Sequence, residues 1–581
     1  MRMVFVFLIG FLGGAAFAAE QPRPAGLEGE VVLTRLKPVK VNADGKKITI
    51  DYGKVFFSQV TLSPNSENFG NTVKIKLRES GQPDPLPSIG QEQIGVRYLE
   101  QEVSLVNGAQ RLSLPDSDKR LMHANVGAVM PFRYLDIYGW KGEFSEDMVD
   151  VEAARSSKYR QQGGTLFSGG GHAEELNRLL ELSNHTIEAT SFAGVFVDGD
   201  RERLPYEADA YINMLGWFAN VDDVTVPRRT FDFLVEHPSW PTEWQAHMIF
   251  MAWADYQYTG DLQFLRKNYE WLKLVSLDRA ISSKTGMVNI KDISWFLKRE
   301  LKVTYPLADI VDWPPSQRDG HEMKPSNTVT NAFVYMGFVR MADIAHALGE
   351  DSDRDKFTKL AAQLKASMDD RVRRSDGLYV DGIGSSHTSA HSLFVPLAFG
   401  MVNADQRGGV LKALSEKIDG YSGGFPCSVF MAQYLLEALF QSGEDEEALS
   451  LMLNKTDRGW FNMIRRYDAT ITHEAWDVKF KDNEDWTHAW GAAPSNIIPR
   501  FILGVNPVTP GWAVWTVKPS KVLKFSAESS IPTPYGVIKI IYDYPARKIS
   551  FAVPAGTVAR LKIDDAQVDF GPGQHQIDWK L

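Results

Sequence analysis

The sequence predicts a multidomain protein in which one large helical domain stands between two smaller β-sandwiches. Three observations carry that reading. Apolar residues alternate from about residue 25 to about 150, recur every three or four positions from His172 to about Leu503, and alternate again after Pro507. Turn-forming residues mark both changes of period, Gly169-Gly170-Gly171 at the first and Pro510-Gly511-Trp512 at the second. The helical region shows no repeat of fixed length, which argues against a solenoid and favours a closed toroid of paired helices; an irregular bundle has the same periodicity.

The elements follow in order. Met1-Arg2-Met3, the apolar run Val4 to Phe17 and the small-residue site Ala16-Phe17-Ala18 have the three parts of a secretory signal peptide, predicting export to the periplasm or medium and removal of residues 1–18. The run is too short for a membrane span, and no cysteine near residue 19 offers a lipid anchor, so no membrane insertion is expected after cleavage. The first sandwich, placed at 19–160, shows strands at 31–33, 39–41, 48–52, 73–77 and 132–137. The helical domain, placed at 161–505, has helical spacing at 244–258, 264–274, 331–348, 357–368, 394–401, 429–439 and 497–503. The closing sandwich, 506–581, has strands at 515–517, 537–542, 549–553 and 558–563.

With 581 residues, 44% of them hydrophobic, the chain can bury a large core. The net charge of −10 argues against nucleic acid as a partner, since phosphate backbones select for basic patches. One cysteine, Cys427, excludes an internal disulfide and a thiolate metal cluster. The 15 Trp, 19 Tyr and 32 Phe are mainly core, yet Trp faces also suit flat apolar sugar surfaces.

Candidate chemistry concentrates in two stretches. Asp198 to Asp209 crowds five carboxylates and two arginines at a loop-to-helix junction, with Pro205 read as the first helical position and Asp209 in the second turn. A charge run capping a helix is the plain reading; a carboxyl tuned by burial against cations is the functional one. The second stretch is Thr472-His473-Glu474-Ala475-Trp476-Asp477, followed by Asp482, Glu484, Asp485 and then Trp486-Thr487-His488-Ala489-Trp490. If the fold brings them together, they supply the two carboxyls of glycoside hydrolysis. Asp309 to Pro314 adds a third acidic and aromatic stretch. No metal-ligand spacing, phosphate loop or Gly-x-Ser-x-Gly elbow is present, so no cofactor or metal is expected.

These motifs, in this order, resemble those of the α-L-rhamnosidases of glycoside hydrolase family 78. Pro131-Phe132-Arg133-Tyr134-Leu135 looks like the signature closing that family's first sandwich. Arg201-Glu202 followed by Asp209 matches its acidic motif, Asp312-Trp313 its Gly-Asp-Trp motif with Val311 in place of Gly, and Trp244 a sugar-stacking Trp. Glu474 falls at its second essential Glu, and His488 resembles its substrate-binding His. Departures mark a divergent member: Asp198 stands one residue nearer Glu202 than usual, Tyr206 replaces Trp, and His473 replaces an aromatic.

The resemblance implies an (α/α)6 barrel between two β-sandwiches and exo-acting hydrolysis of a rhamnose-containing glycan with inversion. It implies Glu202 as general acid and Glu474 as general base. Asp198, Arg201, Tyr206, Asp209, Trp244, Asp312, Trp313, His473, His488 and Trp490 would then bind substrate. Another glycosidase or a polysaccharide lyase on the same barrel, or an exported glycan-binding protein without activity, are the alternatives.

Overall fold

A computed structural model describes residues 30–45, 47–81, 99–114, 126–563 and 566–579; the expected signal peptide lies outside them. Nine strands come first: β1 (Val31–Arg35), β2 (Lys40–Ala43), β3 (Lys47–Leu62), β4 (Thr72–Arg78), β5 (Leu99–Ser104), β6 (Gln110–Arg111), β7 (Met130–Tyr138), β8 (Val149–Ser156) and β9 (Gly164–Ser168). The first eight are hydrogen-bonded into one sheet of order β1-β8-β3-β7-β4-β5, with β2 and β6 on β3. Past a bulge between Asp51 and Phe56, the long β3 exchanges β2 for β8 and β6, so one strand serves both halves of the sheet. Its apolar side chains share a core with Val73, Ile75, Leu77, Phe132, Leu135 and Ile137.

The helices are α1 (Ala173–Thr190), α2 (Glu207–Asn220), α3 (Thr225–Glu236), α4 (Gln245–Thr259), α5 (Leu262–Val275), α6 (Trp295–Glu300), α7 (Thr328–Leu348), α8 (Asp351–Arg371), α9 (Ala390–Ala398), α10 (Ala404–Gly420), α11 (Ala432–Ser442), α12 (Asp445–Met452), α13 (Trp460–Tyr467) and α14 (Pro494–Ile497), the last continuing as a π-turn over Ile498–Ile502. Six form an inner ring. α2 packs on α4, α4 on α7, α7 on α9, α9 on α11, α11 on α14, and α14 returns to α2. Around them α1, α3, α5, α8, α10 and α12 each lie against an inner partner. The toroid is therefore closed, a ring of six hairpins.

Composition explains which helix goes where. All nine residues of α9 are buried, as is almost all of α2, so neither has a face to offer water. In α8 only Phe357, Ala361, Leu364 and Met368 are buried, spaced four, three and four, leaving a charged outer face. Because inner and outer helices alternate, the loops entering the inner helices gather at one rim. Those loops carry both acidic stretches.

The closing domain has two sheets, β10-β11-β15-β16 and β17-β14-β13-β12-β9, built from β10 (Val505–Pro507), β11 (Val514–Val517), β12 (Ser526–Ile531), β13 (Ile538–Asp543), β14 (Lys548–Val553), β15 (Val558–Ile563), β16 (Ala566–Phe570) and β17 (Gly573–Asp578). One expected boundary is corrected here. The helical domain, placed from residue 161, begins with β9, which pairs antiparallel with β12 and so belongs to the C-terminal sheet. Trp515, Ile540, Tyr542 and Phe551 share one continuous core with the barrel. Cys427 is buried, and its carbonyl accepts the Trp476 indole N–H at 2.7 Å. Among the described residues no helix is long and apolar enough to cross a membrane.

Candidate active site

The loop before α2 folds on its own side chains. Asp198 and Leu204 close it, with Asp198 N–H donating to the Leu204 carbonyl at 2.9 Å and Leu204 N–H to Asp198 Oδ1 at 3.0 Å. Arg203, held at φ 52°, turns inward, donating to Asp200 at 2.9 Å and to the Val129 carbonyl of the N-terminal domain at 3.0 Å, while stacking over Phe57. Arg201 and Glu202 are thereby left facing the opening. Gly199 has a steric reason: a Cβ there would lie 2.5 Å from Asp485 Oδ2.

Helix α2 starts later than Pro205 suggests. Tyr206 is its N-cap with extended backbone (φ −132°, ψ 145°), so Pro205 lies outside the helix and Asp209 falls in the first turn, where the helix dipole favours acids. Glu207, at the first helical position, accepts Ser239 N–H at 2.8 Å, and burial raises its pKa to about 7.

The fold joins the two acidic stretches through Arg201. Its guanidinium grips Glu474 with two bonds of 2.9 Å, the bidentate geometry that fixes a carboxylate in orientation as well as charge. The same Nη2 lies 3.4 Å from Glu202 Oε1. Lys481 Nζ adds a second cation 3.1 Å from Glu474 Oε2, and Asp485 N–H donates to that oxygen at 3.1 Å. Burial alone would raise the Glu474 pKa, but Arg201 first, then His488 and Lys481, overcome it and hold the group down at about 2. Glu474 is therefore ionised at any ordinary pH.

Glu202 has another environment. Its side chain keeps 37% of its surface exposed, against 2% for Glu474, and accepts the Tyr206 hydroxyl. Behind it lie Asp198 and Asp209, both buried, and burial, with repulsion from Glu202 next, raises both pKa values well above the usual carboxylate range. Neither oxygen of Asp209 accepts a hydrogen bond among the described residues. His488 sits between them, Nε2 4.0 Å from Asp198 and Nδ1 3.5 Å from Asp209, its pKa lowered to about 3 by burial, so the ring is neutral.

The remaining expected residues divide. Trp244 meets Tyr206 edge to face at 5.9 Å, and its indole N–H finds no acceptor among the described residues. Trp490 positions Glu474, donating its indole N–H to the Glu474 carbonyl at 3.0 Å and leaning on His488. His473 stacks on Trp486 at 4.9 Å and approaches Glu484 at 3.6 Å, behind Glu474. It is buried and faces no opening for a ligand. Asp312 is also corrected from the expected substrate ligand. Fully buried, it accepts from Trp313 N–H at 2.8 Å, Ser428 N–H at 2.8 Å and the Ser428 hydroxyl, and pairs with His391 at 2.6 Å, so its oxygens tie the loop to α9 and to the loop entering α11. Trp313 beside it is half-buried. Val311, where a Gly would be at ease, has φ 58°.

Three residues were given no role by the sequence reading. Lys481 and Asp485 lie in the loop after Glu474, and Asp485 accepts Arg201 N–H at 2.8 Å with its pKa raised to about 6 by burial. Glu243, just before α4, accepts Ile310 N–H at 2.9 Å together with Val311 N–H, and burial lifts its pKa to about 8. Only Asp485 had a signal, the acidic run around it. No group of three or more His, Cys, Asp or Glu among the described residues is arranged to hold a metal.

Fold and site together define a class: a six-hairpin barrel with paired carboxyls at its rim, flanked by sheet domains. Within it, the chain belongs to the bacterial α-L-rhamnosidase family. The family's six-hairpin glycosidase domain matches residues 171–502, and its C-terminal domain matches 504–578. A curated relative, an α-L-rhamnosidase of Formosa agariphila, is 21% identical over 62% of this chain, which spans 38% of that protein's length. Among solved structures, the α-L-rhamnosidase of Dictyoglumus thermophilum superposes with a TM-score of 0.74 at 17% identity, over 94% of this chain and 63% of that one. The Streptomyces avermitilis α-L-rhamnosidase, solved with L-rhamnose, gives 0.73 at 16%, over 94% and 53%. A Klebsiella oxytoca rhamnosidase with rhamnose bound gives 0.59 at 14%, over 82% of this chain and 96% of that one.

Proposed function

We propose that the protein is an exo-acting glycoside hydrolase that releases α-L-rhamnose from rhamnose-containing glycans with inversion. The observation that carries this reading is the contrast between two carboxyls that share one arginine. Glu474 is buried, clamped and ionised, as a base must be; Glu202 is open to the rim, where a leaving group would stand. Protonated Glu202 gives its proton to the glycosidic oxygen as the bond to the anomeric carbon breaks. Glu474 takes a proton from the water whose oxygen bonds that carbon from the other face, and exchange with solvent restores both groups.

Inversion needs room for that water, with carboxyls about 6.5–9.5 Å apart. Here Arg201 Nη2 fills the gap, and the nearest oxygens lie no farther apart than its contacts of 2.9 and 3.4 Å laid end to end. That is short of the range for inversion, so the reading requires Arg201 to turn toward sugar hydroxyls when substrate enters and the carboxyls to part, while Asp198, Asp209 and His488 receive the remaining hydroxyls. Trp244 and Tyr206 supply apolar faces. NMR of products from a panel of rhamnosyl oligosaccharides tests the proposal: terminal rhamnose should appear first as the β-anomer. Initial release of the α-anomer would refute inversion, and no rhamnose from any member would refute the activity.

A further inference from the structure

Glu474 is held by two cations of unequal freedom. Arg201 keeps 27% of its side chain exposed and also reaches Glu202, so it borders the space substrate must enter. Lys481 keeps 7% and is anchored by its own loop, where its ammonium also donates to the Asn483 carbonyl at 3.3 Å and to the Asn483 side chain. That loop is pinned in turn. Asn462 and Arg466 hold Asp477 at 2.9 and 2.7 Å, and Ser316 donates to the Phe480 carbonyl at 2.9 Å.

We propose that Lys481 is a positioning residue, the standing partner that keeps Glu474 ionised and aimed while Arg201 leaves it for the sugar. The proposal rests on the hydrolytic reading above. The requirement is electrostatic. A carboxylate in a buried site without a cation takes up a proton, and Glu474 is surrounded by other acids: Asp485, Glu484, Asp209 and, across Arg201, Glu202. His488, the other basic group facing it, is neutral through burial. Once Arg201 has turned away, only Lys481 remains as a fixed positive charge among these groups.

The test is the pH dependence of kcat on an aryl α-L-rhamnoside with the full chain. Wild type should hold its turnover down to the pH at which it unfolds. Lys481→Met should keep KM within about twofold and move the acid limb up by about one pH unit or more, and Lys481→Arg should move it back. A second readout needs no turnover. The depressed Glu474 pKa stabilises the fold above about pH 4.5, and that stabilisation is lost as pH falls toward 2. Burial lowers the Lys481 pKa, so its own charge costs stability, and the readout is the slope: Lys481→Met should lose less stability than wild type as pH falls from about 4.5 toward 2, a gap absent in a Glu474→Gln background. An unmoved acid limb in folded Lys481→Met would overturn the proposal. If wild type has no turnover, the hydrolytic reading fails while the stability gap still reports the pair. Should Lys481→Met not fold, Lys481→Gln takes its place.

Discussion

The first turn of α2 and the loop entering α7 both bring an acid to the same rim, and the fold uses them in opposite ways. Asp209 is buried with both oxygens unmatched by any described donor, beside an unprotonated His488. Asp312, equally buried, has its oxygens occupied by Ser428, Trp313 and His391. A buried polar group left unsatisfied is costly, so its persistence points to a partner that arrives from outside. Satisfaction of the carboxylate, rather than the motif around it, separates a ligand group from a structural tie.

Paired substitutions sharpen that contrast. Asp312→Asn should destabilise the protein by about 2–4 kcal/mol, because it removes an acceptor from a fully buried network. Denaturant unfolding would measure this, and the folded fraction should keep its KM. Asp209→Asn should do the reverse, leaving stability unchanged or slightly raised while KM rises about 2- to 10-fold, the scale of one net hydrogen bond to a neutral group. If Asp209→Asn proved the more destabilising of the two, the contrast would collapse.

A smaller effect concerns Glu243, which ties the α7 entry loop to the start of α4. Its pKa is about 8 in the fold against 4.5 for an ordinary Glu. The folded state thus keeps a proton that the unfolded state releases, and this group lowers stability progressively as pH rises from about 4.5 to 8. Glu243→Gln keeps the oxygen that accepts from Ile310 and Val311, and should flatten the decline of Tm across that range. An unchanged slope would show that Glu243 titrates normally.

The helical domain was legible because its period survives in sequence, an inner helix such as α9 reading as mainly apolar and an outer one such as α8 as striped, whereas closure of the ring depends on which helices pack together and leaves no period of its own. The strand β9 was not, since its five residues gain strand character only by pairing with β12, more than 350 residues away. The same limit applies to the site. Glu202 and Glu474 announced themselves as clustered acids, whereas Lys481 is one lysine among many until the fold sets it beside Glu474. Asp312 misled for the matching reason, because its partners lie far off in sequence, His391 in α9 and Ser428 on the loop entering α11. The start of α2 was displaced from Pro205 to Glu207 because Tyr206 adopts extended backbone at the cap.

The central claim is the division of labour between Glu202 and Glu474, and leaving-group dependence tests it most directly. Turnover of Glu202→Gln would be compared on a glycan-linked rhamnoside and on a nitrophenyl rhamnoside whose leaving group needs little protonation. The account predicts a loss of about 10²–10⁴-fold on the first and a much smaller loss on the second, while Glu474→Gln loses equally on both. Equal losses for Glu202→Gln on the two substrates would contradict its role as the acid.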